Sequence, residues 1–181
     1  PSAAHAQQDQ PAGPWQTYDT SNGEWRSYAG DIAGTKYSPL DQINADNFED
    51  LEVAWFWKGD NYGPVSDNVG RSTPIYADGI VYTVAGRRRT VIALDPATGE
   101  TLWTFREPNT PRWEDSPRQN YGRGVAYYEI DGRGIIYVVT PGFFLHALDA
   151  KTGYPLADFG AEVVRVESEA KVDSLRITQP I

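Results

Sequence analysis

The chain has 181 residues, 40% of them hydrophobic and 13% aromatic, with 17 glycines, 13 prolines, no cysteine and a formal net charge of −9. That apolar content excludes a disordered chain, and the acidic balance excludes a general nucleic-acid binder, which needs clustered cations to neutralise phosphates. Without cysteine there is no disulfide, thiolate nucleophile or Cys-ligated zinc, and no apolar run reaches the ~18 residues of a membrane-spanning helix.

The first residues end in Ala4-His5-Ala6, the small-x-small pattern that precedes a signal-peptidase cut. With no methionine in the chain, residues 1–6 read as the tail of an export signal, against a merely Ala-rich flexible terminus. Gln7 to Gly13 is polar and is expected to be disordered. Residues 1–13 are therefore set apart from a domain spanning 14–181. Many aromatics among many glycines and prolines make that domain all-β and rich in tight turns.

Two segments repeat. Ala93-Leu94-Asp95-Pro96-Ala97-Thr98-Gly99 and Ala147-Leu148-Asp149-Ala150-Lys151-Thr152-Gly153 share Ala-Leu-Asp-x-x-Thr-Gly at an offset of 54 residues. Upstream of each, Asp78-Gly79 and Asp131-Gly132 stand between β-rich runs, a strong hairpin signal. The pattern predicts four strands near 73–77, 80–84, 90–94 and 101–105, then four more near 124–129, 134–139, 143–148 and 155–158. Four antiparallel strands in roughly 50 residues is the size of one β-propeller blade. A β-sandwich of the same strands is the rival, but sandwiches do not repeat their sequence blade by blade. In each repeat the Asp is expected to accept backbone N–H groups and the Gly to take positive φ. Trp103 follows on the outer strand to pack between blades, where the second copy has Ala157. Thr178-Gln179-Pro180-Ile181 repeats Ser72-Thr73-Pro74-Ile75, so the chain is expected to stop at the opening strand of a third blade.

Trp25-Arg26-Ser27-Tyr28-Ala29-Gly30-Asp31, then Gly34-Thr35-Lys36-Tyr37-Ser38-Pro39-Leu40-Asp41-Gln42-Ile43-Asn44, and then Asn47, Leu51 and Ala54-Trp55 resemble the N-terminal signature of the pyrroloquinoline quinone (PQQ) dehydrogenases. The two Ala-Leu-Asp-x-x-Thr-Gly turns resemble that family's tryptophan-docking motif. The resemblance implies an eight-bladed propeller, of which residues 14–181 form the N-terminal portion, exported to the periplasm. It implies PQQ near the axis, with Ca²⁺ or a similar ion beside it, and oxidation of an alcohol or sugar hydroxyl. Electrons would pass to a cytochrome or to ubiquinone. The catalytic Asp and the ion's ligands are implied beyond Ile181. Two departures stand out: the adjacent Cys pair of several relatives is absent, and Arg71 occupies the place of a Glu near the quinone in some of them. Ala161 to Ser174 looks like a variable loop.

PQQ is a planar tricarboxylate, so its site needs cationic forks and flat walls. Arg71, Arg123 and Arg176 precede successive inner strands, where they could converge on one anion. Arg123, in Tyr121-Gly122-Arg123-Gly124-Val125-Ala126, is similar to the family segment whose Arg contacts the quinone. The competing reading pairs it with Glu129 or Asp131. Gln119 and Asn120 in the same loop, and Thr178 at an inner-strand position, complete the candidate cofactor residues. Arg87-Arg88-Arg89 reads as a solvated loop run, with contact to another part of the propeller as the alternative. His146 reads as a packed strand residue. A non-catalytic propeller scaffold for protein–protein interaction is the second functional reading. The signature from Trp25 to Trp55 and the missing lipid-bearing Cys favour the enzyme.

Overall fold

Seven strands, one short α-helix and two 3-10 turns form among residues 18–62, 72–117 and 124–160, which are those the computed structural model describes. Strands β1 (Ile75–Ala77), β2 (Ile80–Ala85), β3 (Thr90–Leu94) and β4 (Thr101–Phe105) make an antiparallel sheet in chain order. Strands β5 (Ala126–Ile130), β6 (Arg133–Val139) and β7 (Leu145–Asp149) make a second one. Both opening hairpins close over two residues, Ala77 facing Ile80 and Ile130 facing Arg133. Their turn residues have φ 48° at Asp78, 76° at Gly79, 50° at Asp131 and 77° at Gly132. Left-handed backbone at both central positions matches the twist of the flanking strands, which is why Asp-Gly serves there.

Side chains alternate across a strand, and β3 is buried on both sides. Its Val91 and Ala93 join Tyr82 and Val84 against Tyr127, Ile136, Val138 and Leu148 of the second sheet. Its Ile92 and Leu94 face the other way, packed on Trp55, Trp57 and Tyr62. The Tyr82 hydroxyl donates across the sheets to the Ala150 carbonyl at 3.1 Å, and burial pushes its pKa well above the ordinary phenol value.

The same docking is built twice. Trp103 on β4 donates its indole N–H to the Ala150 carbonyl at 2.9 Å and lies flat on Gly153, where any Cβ would collide with the ring. Trp55 donates to the Pro96 carbonyl at 3.0 Å and lies on Gly99, where a Cβ would come 2.6 Å from the indole. Pro96 and Ala150 follow Asp95 and Asp149, so the two rings occupy equivalent places. Both glycines have φ 72°, and both Asp carboxylates accept two backbone N–H groups and the Thr hydroxyl of their own turn.

The strands differ from the sequence expectation in two ways. The second blade has no fourth strand over 155–158; Pro155 makes an isolated bridge to Leu148. Leu156 still donates to the Ala147 carbonyl at 2.8 Å, and the chain then turns, the Phe159 N–H donating to the Leu156 carbonyl at 3.2 Å. The first, fifth and seventh strands begin two residues later than expected, at Ile75, Ala126 and Leu145. Before Leu145, Thr140 to Phe144 close a turn, with Phe143 donating to the Thr140 carbonyl. Trp25 pairs with Tyr76 through two 2.9 Å hydrogen bonds, so the N-terminal segment covers the free edge of β1.

Candidate functional site

Antiparallel order sorts the connections between two ends. The two Asp-Gly turns and the two Asp-x-x-Thr-Gly turns lie at one end. At the other lie the β2–β3 turn, the connector from β4 to β5, and the β6–β7 turn. The connector carries helix α1 (Pro111–Glu114), started by Pro111 and capped by Thr110, whose hydroxyl accepts the Trp113 N–H at 3.2 Å.

Arg88 reaches from the β2–β3 turn onto this connector. Its guanidinium lies 4.0 Å from the Trp113 ring centroid, and it donates to the Glu107 carbonyl at 2.9 Å and to the Asn109 side chain. Burial and the neighbouring Arg106 hold the Arg88 pKa below its ordinary value. Arg89 is only 3% exposed. The run 87–89 is therefore not a solvated loop: Arg88 lies against the connector and Arg89 is buried.

The Glu107 side chain, 2% exposed, points the other way. One carboxylate oxygen accepts the Gly142 N–H at 3.1 Å, and the other has no hydrogen-bond partner. A Cβ at Gly142 would collide with it. Ser116 donates to the Pro141 carbonyl at 2.6 Å, and Arg112 covers the Phe144 ring at 4.6 Å. The connector is thus gripped from both hairpin turns. His146 is packed between Phe105 and Phe144, with ring centroids at 5.0 and 6.2 Å, as its strand position suggested. Burial lowers its pKa against the opposing pull of Glu107.

Arg71, Gln119, Asn120, Arg123, Arg176 and Thr178 lie outside the described residues. A Cβ on Gly124 would stand 3.3 Å from Ser72 Cβ and 3.5 Å from the Thr73 carbonyl oxygen. Gly124 and Ser72 therefore lie side by side, a few residues ahead of β5 and β1. Glu129, a candidate partner for Arg123, stands 4.0 Å from the Arg26 guanidinium. Among the described residues no group of three or more His, Asp and Glu side chains is placed to hold a metal ion.

Sequence reasoning missed two features. In the sequence Trp55 belongs to the signature, and nothing there marks it as a docking ring beyond its place in Trp55-Phe56-Trp57. Nothing in the sequence singled out Glu107.

The family model for the β-propeller domain of PQQ-dependent glucose/ethanol/alcohol dehydrogenases matches residues 25–178. The chain belongs to this quinoprotein family. Among its relatives, 1-butanol dehydrogenase (cytochrome c) of Thauera butanivorans is 38% identical over 135 residues, covering 74% of this chain and 18% of that protein. The crystal structure of quinohemoprotein alcohol dehydrogenase from Comamonas testosteroni superposes with a TM-score of 0.57 at 34% identity, over 74% of this chain and 18% of that one. A europium-containing methanol dehydrogenase superposes with a TM-score of 0.55 at 26% identity, over 74% and 22%. The chain thus spans about a fifth of the length of these quinoproteins, and its two sheets are blades of their propeller.

Proposed function

We propose that this chain forms part of a PQQ-dependent dehydrogenase that oxidises an alcohol or sugar hydroxyl. The observation that carries the reading is the family model's match over residues 25–178; Gly124, the described neighbour of Arg123, also lies beside Ser72, the neighbour of Arg71. Arg123 and Arg71 hold the carboxylates of PQQ, and Gln119, Asn120 and Thr178 meet its edge. Bound PQQ would supply a two-electron acceptor for oxidation of the carbon that bears the hydroxyl, while the protein binds and orients. An ion, Ca²⁺ or a lanthanide, would supply Lewis-acid polarisation of the quinone. The electron acceptor is a cytochrome or ubiquinone, a reading supported by the cytochrome c named for the Thauera relative. Export to the periplasm follows from Ala4-His5-Ala6, and N-terminal sequencing of the protein from a periplasmic fraction checks it.

The test is reconstitution of the full-length apo-protein with PQQ and Ca²⁺, or with a lanthanide, followed by dye-linked oxidation of an alcohol series and of glucose. Turnover that requires both PQQ and the ion is the expected result. Folded protein that neither binds PQQ nor turns over either substrate class overturns the reading and leaves the scaffold.

A further inference from the structure

We propose that residues 19–37 plug the central channel of the propeller at the end of the blades that carries Asp78 and Gly79. Tyr28, Ile32 and Tyr37 are the surface on which the inner strands of blades outside this chain close. The inference rests on the propeller fold and not on the chemistry proposed above.

Strands β1 and β5 begin their sheets and lie against each other. In a propeller the strands that converge in this way line the central channel. The edge of β1 turned away from β2 therefore faces that channel, and it is not bare. Trp25 and Tyr76 exchange two backbone hydrogen bonds of 2.9 Å across it. A segment paired on that edge occupies the channel.

Further contacts set its height and direction. The Glu24 carboxylate accepts the Asp78 N–H at 2.7 Å, which holds the segment at the Asp-Gly end of β1, opposite to Ser72. The Arg26 guanidinium lies 5.0 Å from the Tyr127 ring centroid and 4.0 Å from the Glu129 carboxylate, so the segment reaches from β1 across to β5. Beyond Arg26 the chain folds back. Gly30, at φ 83°, packs against Thr20 and the Trp25 ring, and the Thr20 hydroxyl donates to the Tyr37 carbonyl at 2.7 Å. This closed loop leaves Tyr28, Ile32 and Tyr37 69%, 66% and 66% exposed. Large apolar side chains grouped on one short, internally bonded segment mark a contact surface. Its position names the occupant. Two blades border only part of the channel, and a ring takes at least about four. The chain spans about a fifth of the length of its relatives, so the strands that complete the ring lie in the rest of such a protein.

The experiment uses the full-length protein. Wild type is labelled with hydroxyl radicals, folded and in urea, and the modified tyrosines are located by mass spectrometry. Tyr28 and Tyr37 are expected to react several-fold more slowly in the folded protein. In a second sample the photoreactive residue p-benzoylphenylalanine replaces Ile32, and the crosslinked peptides are mapped after irradiation. Crosslinks within one polypeptide to the opening strands of blades beyond Ile181 are the expected result. Tyr28 and Tyr37 that react as fast folded as unfolded overturn the proposal, whether or not the substituted protein folds. Crosslinks that run only to a second copy, only within residues 1–181 or only to outer strands overturn it too.

Discussion

Gly153, in the turn after β7, lies against the Trp103 ring of the first sheet. Its φ of 72° is left-handed, and the Trp103 ring fills the space a side chain would need. Gly153→Ala in the full-length protein therefore combines backbone strain with a forced shift of an indole. It is expected to cost about 1–3 kcal/mol, read as a fall in melting temperature by calorimetry. Gly79, also at positive φ but with nothing within 4 Å of a Cβ, is expected to cost less on the same change. At the proposed site the decisive residue is Arg123. A charge-assisted hydrogen bond contributes about 1.5–3 kcal/mol. Arg123→Leu in full-length apo-protein is expected to weaken PQQ roughly tenfold to a hundredfold in a binding titration, with the far-UV spectrum unchanged. Arg123→Lys is expected to recover part of that loss, since an ammonium lacks the planar fork.

The Asp-x-x-Thr-Gly turn is an element that titrates. The Thr98 backbone N–H and then its hydroxyl hold the Asp95 carboxyl below the ordinary aspartate value. Burial opposes ionisation at Asp149, but hydrogen bonds from Arg133 and Thr152 outweigh it, and that pKa is lowered too. A carboxyl with a depressed folded-state pKa stabilises the fold above its unfolded value, near pH 4, and loses that contribution as pH falls through the folded value. Asp149→Asn is therefore expected to lower the melting temperature at pH 7 and to lower it progressively less as pH falls below 4. Melting curves across that range check it. An equal deficit at both ends of the range would leave no role for the carboxylate charge.

The molecule as a whole leaves much apolar surface uncovered. Tyr28, Tyr37, Leu40, Ile43, Phe48, Leu51, Val53 and Phe56 are all more than half exposed, Phe56 by 83%. Residues 51–58 lie outside both sheets, although Trp55 docks as Trp103 does. Ordering a backbone costs roughly 1–2 kcal/mol per residue, and two blades bury little apolar area against that. These 181 residues expressed alone are expected to bind a hydrophobic dye and to melt without a cooperative transition. A sharp calorimetric transition in a purified monomer would contradict this.

Much of the fold was legible because its signals are local. Asp78-Gly79 and Asp131-Gly132 specify their hairpins through the backbone angles of two residues. The repeated Asp, Thr and Gly specify their turns through hydrogen bonds that span five residues. The family signature did the same for the class of protein. Tertiary structure decided what depends on residues far apart in the chain. Trp55 reaches Pro96 across 41 positions and Trp103 reaches Ala150 across 47, and no periodic pattern announces such a meeting. The run 87–89 looked solvated because charge predicts exposure on average. The folding of its turn lays Arg88 on Trp113 and the Glu107 carbonyl, and Arg89 is buried. The fourth strand of the second blade stops just past Pro155, because a ladder needs two segments side by side and the chain turns away over Leu156 to Phe159.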